Sequence, residues 1–107
     1  MGRVRRRYVV FNVVSDSMLN EKEVVREIWG ELLALFGEVG VSYMELHVIE
    51  YDGQRGRGIL RCTHKTVMDV CAGVTLISEI EGKPAAVNVL GVSGSLRKAR
   101  EIMMRKR

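Results

Sequence analysis

The fold is decided by a loop in the middle of the chain, Asp52-Gly53-Gln54-Arg55-Gly56, which joins two strand-like segments. Residues 41–51 precede this loop and residues 57–62 follow it, and both segments are rich in apolar side chains. A short loop with two glycines between two such segments predicts a β-hairpin. The hairpin fixes the centre of the topology, because the sequence on either side of it carries helical patterns.

A strand and a helix are predicted before the hairpin. Residues 8–14 are β-branched and aromatic, which is typical of a strand. Asn20 and Glu23 have the spacing of a capping box, and apolar residues then recur at helical spacing. Gly37 and Gly40 are predicted to end this first helix.

A second helix, a fourth strand and a third helix are predicted after the hairpin. Thr63 can cap the second helix, and the turn Gly82-Lys83-Pro84 leads into the strand at residues 85–92. Residues 93–95, Ser-Gly-Ser, then precede a basic amphipathic helix. This last segment is interpreted either as a weak anion cradle or as a simple helix cap, and the sequence leaves both open.

The element order is β-α-β-β-α-β plus a terminal helix, which is the arrangement of RRM-like and ferredoxin-like folds. It predicts an α/β (α+β) two-layer sandwich with a four-stranded antiparallel sheet in the order 4-1-3-2. At 107 residues the chain is predicted to be one domain, with a basic arm at 1–7, a core at 8–93 and a basic helix at 94–107. Both faces of the first strand are apolar, so the terminal helix or a partner should cover the second face.

Positive charge is concentrated at the two ends of the chain. The formal net charge is +4, yet residues 1–7 hold four arginines and no acid. Residues 94–107 hold six basic residues against Glu101 alone, a net of +5. Such segregation favours a polyanionic partner, either a nucleic acid or an anionic membrane face, over the alternative that both basic ends are simply solvated.

The predicted topology brings these two basic ends together, because the start of the first strand lies beside the ends of the third and fourth. We call the resulting cluster the basic edge, and it consists of Arg5, Arg6, Arg7, Arg61, His64, Lys65, Arg97 and Lys98. Arg3 and Arg100 complete the set of predicted RNA-binding residues. Arginine and lysine side chains next to helix N-termini are suited to phosphate oxygens.

Other chemistries are poorly supported by the residues. Cys62 and Cys71 are nine positions apart and lack the paired spacing of zinc ligands, so no metal site is predicted. No acidic cluster or nucleophile motif predicts a catalytic residue. The last helix has too short an apolar face for a membrane, and no run of about 18 apolar residues is present. The start of the chain does not resemble a secretory signal, so a cytoplasmic location is expected.

Three segments, taken in order, make the chain recognisable. Arg7-Tyr8 opens an apolar strand, and Gly58-Ile59-Leu60-Arg61-Cys62 is followed by His64-Lys65. Residues 89–99, Val-Leu-Gly-Val-Ser-Gly-Ser-Leu-Arg-Lys-Ala, form the third segment. In this order they resemble archaeal ribonuclease P protein component 2, and the resemblance covers nearly the whole chain.

The resemblance implies a sandwich with an RRM-like core and a place in the ribonucleoprotein that removes the 5′ leader from precursor tRNA. It implies that the RNA subunit holds the catalytic Mg²⁺ ions and that the protein, itself without a cofactor, supports the catalytic domain of that RNA. The implied partners are ribonuclease P RNA, precursor tRNA indirectly, and a TIM-barrel-like protein subunit, component 3. A two-plus-two assembly is also implied, which allows a homodimer within a heterotetramer.

Two other classes of function remain as alternatives. A ferredoxin-like protein–protein or small-ligand regulatory module would have the same fold, and saturable binding of a metabolite would favour it. A stand-alone nuclease or phosphatase would show metal-dependent turnover without RNA. The concentrated basic charge favours the RNA-binding subunit over both.

Overall fold

The computed structural model describes residues 4–105, which form one antiparallel sheet with helices on both faces. The elements in chain order are β1 (Arg6–Ser15), α1 (Glu21–Met44), β2 (His47–Asp52), β3 (Arg57–Thr63), α2 (Val67–Thr75), β4 (Glu79–Ile80), β5 (Lys83–Ser93) and α3 (Leu96–Met104). A short 3₁₀ turn, His64–Thr66, separates β3 from α2. The predicted order of strands and helices is therefore confirmed in outline.

The sheet has five strands, in the order β2-β3-β1-β5-β4. The predicted order 4-1-3-2 is correct for the four long strands, but the predicted number of strands is wrong. The fifth strand, β4, is only two residues long, too short to leave a strand pattern in the sequence. It pairs with the start of β5 through a tight turn at Glu81 and Gly82, whose φ angles are +53° and +76°. Two positive φ angles in a row are typical of a type I′ hairpin turn.

Helix α1 is longer than predicted, and the predicted strand at residues 41–51 is wrong over its first half. Gly37 has φ 72° and ψ 175°, which kinks the helix, yet the chain returns to helical geometry and continues to Met44. Val41 and Met44 are three positions apart and both are buried, which is helical spacing. Their apolar character therefore reflects the inner face of a helix, and β2 begins only at His47.

A capping box is present at the start of α1, whereas α2 begins without a side-chain cap hydrogen bond. The Asn20 side chain accepts a hydrogen bond from the backbone N–H of Glu23 at 2.9 Å, and the Glu23 carboxylate accepts one from the Asn20 backbone N–H at 3.0 Å, so the predicted capping box is confirmed. The predicted cap at Thr63 is wrong, because the 3₁₀ turn intervenes and Thr66 immediately precedes α2. The Thr63 hydroxyl instead donates to the Tyr43 carbonyl at 2.9 Å, joining the end of α1 to the end of β3.

Two hydrophobic cores hold the layers together. The larger core lies between the sheet and the pair α1 and α2, and includes the fully buried Phe11, Ile28 and Leu60. The smaller core lies on the other face, beneath α3, and consists of Val10, Ile59, Ala99 and Met103. The terminal helix therefore covers part of the second sheet face, one of the two alternatives that the sequence predicted.

Helix α3 crosses the second face of the sheet from one end to the other. Its start is capped by Ser95, whose hydroxyl oxygen accepts from the Lys98 backbone N–H at 3.1 Å. Its last carbonyls accept from the Arg57 guanidinium, at 3.0 Å for Met103 and 2.6 Å for Arg105. Across residues 4–105, no helix has both the length and the apolar character needed to cross a membrane.

Candidate nucleic-acid interface

Strand register brings three distant parts of the chain to one end of the sheet. Arg6 in β1 lies opposite Thr63 at the end of β3, and Tyr8 lies opposite Ser93 at the end of β5. The His64 backbone N–H donates to the Arg5 carbonyl at 2.7 Å, which continues this pairing beyond the strands. The structure therefore places Arg5, Arg6 and Arg7 beside the start of the α2 segment.

The start of α3 lies at the same end of the sheet. A Cβ atom added to Gly94 would lie 3.6 Å from Nη1 of Arg7, so the Arg7 guanidinium is next to the turn that leads into α3. Arg97 and Lys98 are exposed in the first turn of this helix. The structure thus brings all eight residues of the basic edge to one end of the sheet, while their binding to RNA stays a prediction.

Arg61 occupies the middle of this end of the sheet. It lies opposite Tyr8 on one side and His47 on the other, so the three side chains share the face on which α3 lies. The Arg61 Nε atom is buried and makes no hydrogen bond to any group in residues 4–105. A buried donor without a partner costs about 1–3 kcal/mol, so an added acceptor near Arg61 would be stabilising.

The sequence did not reveal an acid within this cluster. Glu45 follows α1, and its carboxylate accepts from the Arg6 guanidinium at 2.6 Å. The predicted strand at residues 41–51 included Glu45, because the end of α1 was placed too early. Both side chains are about 42–43% exposed, and exposed ion pairs contribute only about 0–1 kcal/mol. A phosphate can therefore displace Glu45 from Arg6 at small cost.

One residue predicted to bind RNA, Arg100, does not join the basic edge. Arg100 lies on α3 over the second face of the sheet, where its Nε atom donates to Glu50 Oε1 at 2.8 Å. Arg3 lies outside the described residues. Arg105 lies at the opposite end of the sheet, because α3 runs away from the basic edge towards Arg57.

The Ser-Gly-Ser segment is a helix cap. The Ser95 backbone N–H donates to the Ser93 hydroxyl at 3.0 Å, and the Ser95 hydroxyl caps α3. The local polar groups are thus already paired with one another, which favours the cap over the anion cradle.

The two thiols belong to the protein interior. Cys62 is fully buried in the larger core, and this burial, with a smaller effect from Cys71, raises the pKa of the Cys62 thiol to about 11, although a hydrogen bond with Thr66 acts in the opposite direction. Burial also raises the pKa of Cys71. Both thiols are therefore protonated at neutral pH, and the protonated form is a poor nucleophile and a poor metal ligand.

Comparison with known proteins identifies the family. The sequence matches the Rpp14/Pop5 family over residues 7–104. The chain belongs to the Rpp14/Pop5 family. Among its Rpp14/Pop5 relatives, ribonuclease P protein component 2 of Pyrococcus furiosus is 36% identical over 90% of this chain and 80% of the relative. The protein of the same name from Methanocaldococcus jannaschii is 39% identical over 92% of this chain and 72% of the relative. The resemblance inferred from the sequence is confirmed.

The fold of this Rpp14/Pop5 chain is also similar to that of a solved structure. A chain in the cryo-EM structure of yeast ribonuclease MRP superposes with a TM-score of 0.72, covering 91% of this chain and 79% of that chain. The two are 16% identical, so the likeness establishes the fold alone.

Proposed function

We propose that this chain is a non-catalytic protein subunit of ribonuclease P, the ribonucleoprotein that removes the 5′ leader from precursor tRNA. The names of its Rpp14/Pop5 relatives support this proposal. The observation that carries it is the basic edge, where strand register gathers arginines and lysines from both ends of the chain. In this proposal the basic edge binds the RNA subunit and holds it in its active conformation.

The chemistry of the basic edge fits an RNA backbone. Arginine offers a planar fork of donors that matches phosphate oxygens, and lysine adds a compact charge. Most contacts in such interfaces go to phosphates and fix the position of the protein without reading sequence. Neutralised phosphates repel one another less, so the RNA would need less Mg²⁺ to reach its folded state.

The protein partner in this proposal is the TIM-barrel-like component 3. Helix α3 covers part of the second sheet face, whereas apolar side chains on the outer side of α1 and α2 remain exposed. Leu35, Val39, Met68 and Leu76 are exposed there. Exposed apolar groups on neighbouring helices are typical of a protein interface, so we place component 3 on this side. The two-plus-two assembly, the RNA-bound Mg²⁺ ions and a cytoplasmic location belong to the same proposal.

Reconstitution tests the proposed function. The protein is mixed with a ribonuclease P RNA, component 3 and precursor tRNA, and cleavage is measured as Mg²⁺ is lowered. We expect cleavage to persist at Mg²⁺ concentrations where the mixture lacking this protein is inactive. Identical Mg²⁺ dependence with and without the protein would contradict the proposed role in supporting the RNA.

A further inference from the structure

A groove opens beside the basic edge where three segments of the chain meet. Its walls are the residues just before β1, the last turn of α1 and the corner between β3 and α2, and its volume is about 760 Å³. The lining includes Arg5, Tyr43, Glu45, His64 and Lys65. Sites for small ligands commonly measure about 300–1,000 Å³, so the groove is large enough for a nucleotide.

Hydrogen bonds between the three segments fix the shape of this groove. The Thr63 hydroxyl donates to the Tyr43 carbonyl and also lies 2.7 Å from the Thr66 hydroxyl. The Arg5 carbonyl accepts from the His64 backbone N–H at 2.7 Å. Because these bonds involve backbone groups of all three segments, the groove is preformed and binding would require little reorganisation.

An aromatic ring is displayed at the wall of the groove. Tyr43 lies in the last turn of α1, and 69% of its surface is exposed although its backbone carbonyl is held by Thr63. A large aromatic side chain that is exposed to solvent on a rigid backbone can serve as a surface on which a base stacks. Bases stack on such rings regardless of sequence, which is the usual way that proteins hold unpaired nucleotides.

Charge divides the groove into two sides. Arg5, His64 and Lys65 are exposed donors on the side of the α2 segment, and they suit phosphate oxygens. Glu45 lies on the side of α1, where its carboxylate disfavours phosphate and, once released from Arg6, could accept from the N–H groups of a base edge. The phosphate of a bound nucleotide would therefore lie on the side of Arg5, His64 and Lys65, and its base on the side of Glu45.

We infer that this groove binds an unpaired nucleotide of the RNA, with the base stacked on Tyr43 and the adjoining phosphate held by Arg5, His64 and Lys65. The inference rests on the proposed function, since it assumes an RNA partner. It adds to that function a site for a single-stranded segment, distinct from the phosphate contacts that the rest of the basic edge makes with any RNA helix.

The test compares two RNA probes of equal length, a hairpin with an unpaired loop and a fully paired duplex. Binding of the full chain and of Tyr43→Ala, Tyr43→Phe and Met18→Ala is measured by fluorescence anisotropy at fixed salt. We expect Tyr43→Ala to bind the loop probe roughly 5- to 150-fold more weakly, the effect of removing one stacked base. Tyr43→Phe keeps the ring and should bind as the wild type does, and so should Met18→Ala, which removes an exposed apolar group between β1 and α1, outside the groove.

A 2-aminopurine in the loop gives a second readout, because its fluorescence falls when the base stacks. We expect quenching with the wild type and Tyr43→Phe, and none with Tyr43→Ala. Unfolding midpoints are measured for each variant, so a loss of folding is recognised. The proposal that the groove binds an unpaired nucleotide would be overturned by either of two results. One is equal affinity of wild type and Tyr43→Ala for the loop probe, and the other is an equal loss of affinity for the loop and duplex probes. If the wild type binds neither probe, the proposed RNA-binding function fails instead.

Discussion

Glycine at two positions shows how closely single residues determine this fold. Gly58 in β3 is buried, and a Cβ atom there would lie 2.6 Å from the Phe11 ring and 2.9 Å from the Glu50 carbonyl oxygen. Gly30 in α1 has open space where a Cβ would be placed. The same substitution should therefore have opposite effects at the two sites.

We predict that Gly58→Ala destabilises the protein by about 1–3 kcal/mol, since an added methyl must displace packed neighbours. Gly30→Ala should stabilise it by about 0.5–1 kcal/mol, because alanine lowers the entropic cost of helix formation. Urea unfolding of both variants measures the two free energies of unfolding. Destabilisation by Gly30→Ala, or no change in Gly58→Ala, would contradict this account of the packing.

At the scale of elements, α3 depends on a contact with the opposite end of the sheet. The Arg57 guanidinium donates to the carbonyls of Met103 and Arg105, which have no partners within the helix. We predict that Arg57→Ala costs about 1.5–3 kcal/mol, the range for hydrogen bonds to charged groups. Amide hydrogen exchange in α3 should quicken in this variant.

Arg26→Ala is the matched control for that prediction. Arg26 pairs with Glu81 at 2.9 Å, but its side chain is 62% exposed, so its loss should change stability by less than about 1 kcal/mol. Equal protection of α3 in both variants would show that Arg57 does not anchor the helix.

The elements also show what sequence patterns can and cannot predict. The order of the long strands followed from one hairpin and the right-handed crossovers, and the structure confirms it. Residues 41–46 were misassigned, because a glycine with positive φ kinks α1 at Gly37 without ending it. Local composition does not show whether a glycine kinks a helix or ends it. In α1 the tertiary packing of Val41 and Met44 decides that the helix continues.

The candidate site shows the same two outcomes, because one part of it was predicted from the sequence and another part was not. The basic edge followed from topology and charge, so the sequence was enough to assemble it. Glu45 and Tyr43 were missed because their positions depend on where α1 ends. The exposed tyrosine and the acid have no sequence signal of their own, and only the corrected helix end places them beside the arginines.

At the scale of the whole molecule, exposed positive charges lie at both ends of the sheet. The basic edge gathers exposed cations such as Lys65, Arg97 and Lys98. Exposed cations also lie on elements that begin at the opposite end, namely Lys22, Arg26 and Lys83. These two sets of three cations therefore carry the same number of charges but lie at opposite ends of the sheet.

The most direct test of the account measures how the affinity for ribonuclease P RNA depends on salt. About 0.7–0.9 counterions are released per phosphate contact, so six contacts would give a log–log slope of roughly −4 to −5. Replacing Lys65, Arg97 and Lys98 together with glutamine should reduce the magnitude of that slope by about 2–3, and replacing Lys22, Arg26 and Lys83 should leave it unchanged. A wild-type slope near zero, or equal slopes for the two triple variants, would contradict the central claim that this edge holds the RNA.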